Sequence, residues 1–164
     1  MPVHDDRKMF EMLILEGFQA GLSWITILRK RDNFRKAFKN FDARKVARFG
    51  KADVKRLMHD TGIVRNRLKI EGAVTNARRF LDVQKEFGSF DRYIWGFTGN
   101  RTLRNPNGVT RKTIRATSPE SDALSKDLKR RGFKFVGSTV CYAHMQATGM
   151  VNDHVVGCFK YRKR

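Results

Sequence analysis

Two cysteines in 164 residues, Cys141 and Cys158, are too few for a disulfide framework and point to a reduced, cytoplasmic setting. Three prolines and the lack of any low-complexity tract argue against a disordered chain. No apolar run approaches the ~18–20 residues that a membrane span needs, and no charged-then-apolar leader opens the chain. Acid is scarce as well: 16 Asp and Glu stand against 35 Lys and Arg, for a formal charge of +19 and a pI near 10.7. Self-repulsion at that charge costs stability, so a polyanionic partner is the natural explanation.

The basic residues are scattered, in Arg29-Lys30-Arg31, Arg65 to Lys69, Arg78-Arg79, Lys129-Arg130-Arg131 and the tail 160–164. A detachable arm would gather them at one end, whereas this spread predicts a folded basic surface. Nucleic acid explains it better than solubility, which acidic residues serve more effectively. Forty per cent of the residues are hydrophobic, enough for one domain over 1–164 with a real core.

The periodicity is helical nearly throughout, and no strand pair is legible, so the class is all-α. Asp5 or Asp6 can cap a first helix reaching about Glu16. Ser23 can cap a second through Trp24, Ile27, Leu28, Phe34 and Phe38. Asp42 starts a short helix that stops at Gly50, and another spans about Ala52 to His59. After Thr61-Gly62 a long helix runs from about Asn66 to Phe87, and the aromatic segment Phe90 to Phe97 forms a short one. Residues 98–117, with Pro106, Arg101, Arg104, Arg111 and Lys112, read as a surface loop. Ser118-Pro119-Glu120 opens a helix that ends at Gly132. Ser138 or Thr139 caps the next one, over Val140 to Ala147.

Several groupings bear on chemistry. Residues 53–73 form a helix, a tight turn and a helix, where the amides around Gly62 could meet an anion flanked by Arg65, Arg67 and Lys69. An ordinary helix connection with exposed basic residues explains the same pattern. His154 and Cys158, at i and i+4, suit two metal ligands on one helical turn, whereas structural zinc wants four. Cys141, His144, His59 and His4 remain, and none makes a second pair. Glu16 sits beside Gly17 in the most apolar stretch of the chain, "FEMLILEGFQAGLSWITIL", with Gly21, Leu22 and Trp24 close behind. From the residues alone, Glu16 on a solvated helix face with Trp24 as a core anchor is the plainer reading.

Four blocks nevertheless closely resemble the 3-methyladenine DNA glycosylase I family: "FEMLILEGFQAGLSWITILRKRDNFRKAF", "GIVRNRLKI", "SDALSKDLKRRGFKFVGSTVCY" and "MVNDHVVGCF". The likeness runs in order from about Pro2 to Phe159. It implies a single-domain helix-hairpin-helix fold that acts, as a monomer, on double-stranded DNA containing alkylated adenine. The nucleotide is flipped out and its base removed by hydrolysis of the N-glycosidic bond, without a covalent lysine intermediate. By resemblance Glu16 is the catalytic and base-binding carboxylate and Trp24 the stacking wall. Gly21 and Leu22 form the DNA wedge, Gly62, Arg65, Arg67 and Lys69 meet the DNA backbone, and His154 and Cys158 are half of a structural zinc site.

The family has a further N-terminal segment carrying a cysteine and a histidine for zinc and a tyrosine and a tryptophan for the pocket. This chain starts at "MPVHDDRKMF". The resemblance therefore implies half a metal site and a reduced pocket. A non-catalytic DNA-binding relative is the alternative; an RNA-binding basic protein explains the charge without the Glu16–Trp24 pair.

Overall fold

The computed structural model describes residues 2–104, 108–110 and 112–161. Pro106 and Arg111 of the expected loop, and Arg162, Lys163 and Arg164 of the tail, lie outside them.

Asp5 accepts the Lys8 amide at 2.8 Å and so starts helix α1, Asp6–Gln19, three residues longer than expected. Met9, Phe10, Leu13, Ile14, Leu15 and Phe18 are all buried, so α1 is enclosed on nearly every side, as a central helix must be. Ser23 caps α2, Trp24–Arg29. The single helix expected from there to Phe38 is in fact two, with α3 spanning Arg31–Ala37. The break falls at Lys30, whose amide bonds back to the Ile27 and Leu28 carbonyls. It leaves Leu28 partly exposed while Phe34 and Phe38 are fully buried.

Lys39, Asn40 and Phe41 then form a left-handed turn, with φ between 52° and 54°. The turn returns the chain inward and lays the Phe41 ring parallel to Phe38 at 5.9 Å. Asp42 caps α4, Ala43–Ala47, and α5 follows at Lys51–His59. Asn66 caps the long α6, Arg67–Phe87, and Ser89 caps α7, Phe90–Trp95. Helix α8, Pro119–Arg130, has the expected serine cap and first-position proline. Helix α9, Ser138–Ala147, is capped by Gly137, so Ser138 is its first residue and not its cap.

α1 packs against α2, α6, α7 and α9. Phe10, Phe18, Phe34, Phe38, Phe41, Phe80 and Phe90 fill the core around it, with Phe80 and Phe90 stacked at 4.3 Å. The fold is mostly helical, with one addition that the sequence did not signal. Strands β1 (Leu103–Arg104) and β2 (Val151–Asn152) pair in parallel, and a bridge between Val109 and Val155 continues the pairing. None of the described helices is long and apolar enough to cross a membrane.

Candidate base-recognition site

Helix α1 buries two carboxylates, Glu11 (6% exposed) and Glu16 (4%). Their surroundings differ sharply. Glu11 accepts Arg31 Nε at 2.7 Å and Arg35 Nε at 2.8 Å, so α3 neutralises it. Glu16 has no hydrogen bond or ion pair among the described residues, and burial pushes its pKa up to about 7. An anion without a partner in an apolar setting is costly unless a cation is supplied. A strongly desolvated carboxyl of this kind marks a functional-site candidate.

α1 ends just beyond Glu16, at Gln19. Gly21 then takes φ +81°, a conformation that suits glycine, and the chain turns. The Leu22 amide bonds the Gln19 carbonyl at 2.7 Å, and the Leu22 side chain stands 40% exposed. Two residues on, Trp24 opens α2, partly buried against the core. The α1–α2 junction, residues 16–24, thus carries in sequence the buried carboxylate, an exposed leucine and an indole, on two helices that pack together. The solvated-face alternative for Glu16 is excluded.

The α5–α6 hairpin differs from the sequence reading in two respects. The Gly62 amide is already engaged by Asp60 Oδ1 at 2.8 Å, so it does not point to a free anion site. Lys69 also turns inward: its Nζ donates to the Phe18 carbonyl at 2.9 Å and the Ala20 carbonyl at 2.5 Å. Burial lowers its pKa. Arg65 and Arg67 are exposed, Arg67 lying 3.5 Å from Glu71.

Other cations counted as surface are structural too. Arg131 binds Glu86 and Asp127 and lies 5.1 Å from the Phe87 and Tyr93 ring centres, where cation–π attraction adds to the ion pairs. Lys30 donates to the Thr61 carbonyl and Arg78 to the Ala47 carbonyl.

His154 and Cys158 are not on a helical turn, although Nδ1 and Sγ come within 3.8 Å of each other. The other candidates are dispersed. His4 bonds Asp91 and stacks on Trp95, His59 bonds the Lys55 carbonyl, and Cys141 and His144 are buried. Among the described residues no three His, Cys, Asp or Glu side chains converge as metal ligands. Two donors do not fit a resident structural zinc, which takes four. A cleft of about 270 Å³, lined in part by Arg104, Arg115, Tyr142 and Asp153, involves neither Glu16 nor Trp24.

Comparison with known proteins bears directly on this geometry. The chain is 50% identical to DNA-3-methyladenine glycosylase 1 of Escherichia coli (strain K12) over 161 residues, covering 98% of this chain and 86% of that one. A crystal structure of 3-methyladenine DNA glycosylase I superimposes with a TM-score of 0.95 at 47% identity, covering 99% of this chain and 88% of that one. A second, a variant of 3-methyladenine DNA glycosylase I in complex with 3-methyladenine, superimposes with a TM-score of 0.95 at 32% identity, over 100% of this chain and 88% of that one. The methyladenine glycosylase family model matches residues 1–161, and the chain belongs to that family.

Proposed function

We propose that the protein excises 3-methyladenine from alkylated double-stranded DNA, working as a monomer that flips the damaged nucleotide toward Glu16 and Trp24. The partner-free carboxylate of Glu16, buried on α1, carries this reading. The names of the E. coli relative and of the 3-methyladenine-bound structure support it.

Alkylation at N3 gives adenine a positive charge, which ordinary adenine lacks. A desolvated carboxylate distinguishes the two, and the face of Trp24 adds cation–π attraction. Flipping costs a few kcal/mol, least where pairing is already damaged. The exposed Leu22 would occupy the space vacated in the stack, while Arg65 and Arg67 meet phosphates.

The chemical step needs little acid–base machinery. The bond from the sugar carbon to the base nitrogen breaks with its electron pair leaving on the base, which departs neutral. Positive charge passes to the sugar, where Glu16 stabilises it electrostatically and a water oxygen forms the new bond to carbon, releasing a proton.

The test is release of free 3-methyladenine from methylated duplex DNA by the purified protein, with Glu16→Gln as control. Excision that is lost in the variant is the expected result. DNA binding with no base released would identify a non-catalytic member of the family.

A further inference from the structure

Two lysines join the α5–α6 hairpin to the segments on either side of α2, Lys69 to the end of α1 and Lys30 to the α2–α3 break. Lys69, in the first turn of α6, donates to the main-chain oxygens of Phe18 and Ala20, at 2.9 and 2.5 Å. Carbonyls at a helix C-terminus have no partner within their own helix and favour a cation. α1 has no basic residue in its last turn, so α6 supplies one across the gap. From the other side, Lys30 at the α2–α3 break donates to the Thr61 carbonyl in the hairpin turn at 3.0 Å. The turn also lies hard against α3: a β-carbon on Gly62 would fall 3.0 Å from Asn33.

The place of Leu22 follows from the same anchor. Its amide bonds Gln19, the residue between the two carbonyls that Lys69 holds. The end of α1, the Gly21 bend and the exposed leucine therefore move with Lys69.

We propose that Lys69 is a positioning residue, which holds the Leu22 wedge and the Glu16 end of α1 in register with the hairpin. The proposal rests on the repair reading given above. Two of the three N–H donors of the Lys69 ammonium are committed to carbonyls, so in this proposal the hairpin's grip on DNA falls to Arg65 and Arg67, and Lys69 converts that grip into placement of the wedge. Its contribution appears in the step after binding.

The experiment compares the full chain with Lys69→Met, Lys69→Arg and Arg65→Met. Affinity for undamaged duplex is measured against salt, excision in single turnover at saturating damaged DNA, and amide hydrogen exchange along the chain. Arg65→Met lowers the slope of log affinity against log salt by about one, as loss of a phosphate contact does. Lys69→Met leaves affinity and slope at their original values, yet slows excision on the order of tenfold to a hundredfold, the scale of a small misplacement. Exchange at Gly21 to Ser23 quickens in Lys69→Met while residues 60–66 keep their protection. Lys69→Arg restores much of the rate, because a guanidinium can also donate to two carbonyls.

A drop of about one in the Lys69→Met salt slope, or unchanged exchange at Gly21 to Ser23, would overturn the proposal. Failure of the unaltered protein to release any base would overturn the repair reading instead, and the exchange result would still decide whether Lys69 holds the turn.

Discussion

The ring of Phe135 fills a notch that Gly72 leaves open in α6, so closely that a β-carbon on the glycine would fall 2.8 Å from Cε2 and 2.9 Å from Cδ2. Phe135 itself is held at φ +57°, a strained conformation for an aromatic residue. Asn76 secures the segment by exchanging hydrogen bonds with the main chain of Lys134 in both directions. The Phe135 β-carbon lies 3.4 Å from where one on Gly17 would stand, so the same residue abuts the neighbour of Glu16. Replacing Gly72 by Ala overpacks the notch and is expected to cost about 1–3 kcal/mol in denaturant titration. The contact at Gly17 is only ordinary packing and alanine favours the helix, so Gly17→Ala is expected to be neutral or to stabilise by up to about 1 kcal/mol.

Glu16 should make stability fall as pH rises. Its folded pKa of about 7 lies above the ordinary value of 4.5, so between those limits the unfolded chain gives up a proton that the folded chain keeps. Ionisation then favours unfolding, by on the order of 3 kcal/mol once pH exceeds 7. Glu16→Gln removes the effect: the variant melts at a higher temperature than the parent at pH 8 and at nearly the same temperature at pH 4.5. In the proposed reaction excision has the opposite preference: it would require the carboxylate, so kcat/KM of the parent is expected to rise through a pKa near 7, and the variant to lose both the rise and most of the activity.

His144 acts with the reverse sign. The residue is 1% exposed, neither ring nitrogen has a partner among the described residues, and burial holds its pKa down to about 4. Below pH 6.5 the unfolded chain takes a proton that the folded chain refuses, so this contribution to stability is lost as pH falls from 6.5 toward 4. His144→Leu, close in volume and without unpaired nitrogens, is expected to match or exceed the parent's stability at pH 7 and to resist acid better. Between pH 4.5 and 6.5 the two residues offset one another. Melting curves of the two single variants should therefore slope in opposite directions across that window.

Leu22 stands outside the core, so Leu22→Ala should leave thermal stability within about 0.5 kcal/mol of the parent. In the proposed reaction its effect would fall on extrusion of the nucleotide. Excision from a well-paired duplex is expected to fall at least several-fold, with a smaller loss when the lesion faces a mismatch, where flipping is easier. Equal losses on both substrates would remove Leu22 from the wedge position.

Asp5, Ser23, Asp42, Asn66 and Ser118 cap helices as their side-chain chemistry predicts, so most helix starts were legible. The left-handed turn at Lys39 to Phe41 was not, because it contains neither glycine nor proline and is held by burial of its phenylalanine. β1 and β2 are two residues each, too short to show alternation. Within the site, the residues alone could not place Glu16. It shares an apolar helix with Glu11, and only the approach of Arg31 and Arg35 to Glu11 separates a neutralised carboxylate from a partner-free one. The inward turn of Lys69 was equally hidden, since its acceptors are main-chain carbonyls 49 and 51 residues away, which every residue type presents alike.

The solitary state of Glu16 has a consequence for turnover. In the proposed reaction the lesion enters as a counter-ion and leaves uncharged, its positive charge consumed when the bond to the sugar breaks. The charge-dependent part of the affinity that captured it is lost at that moment, so the freed base is held only by stacking and shape, more weakly than the lesion it came from.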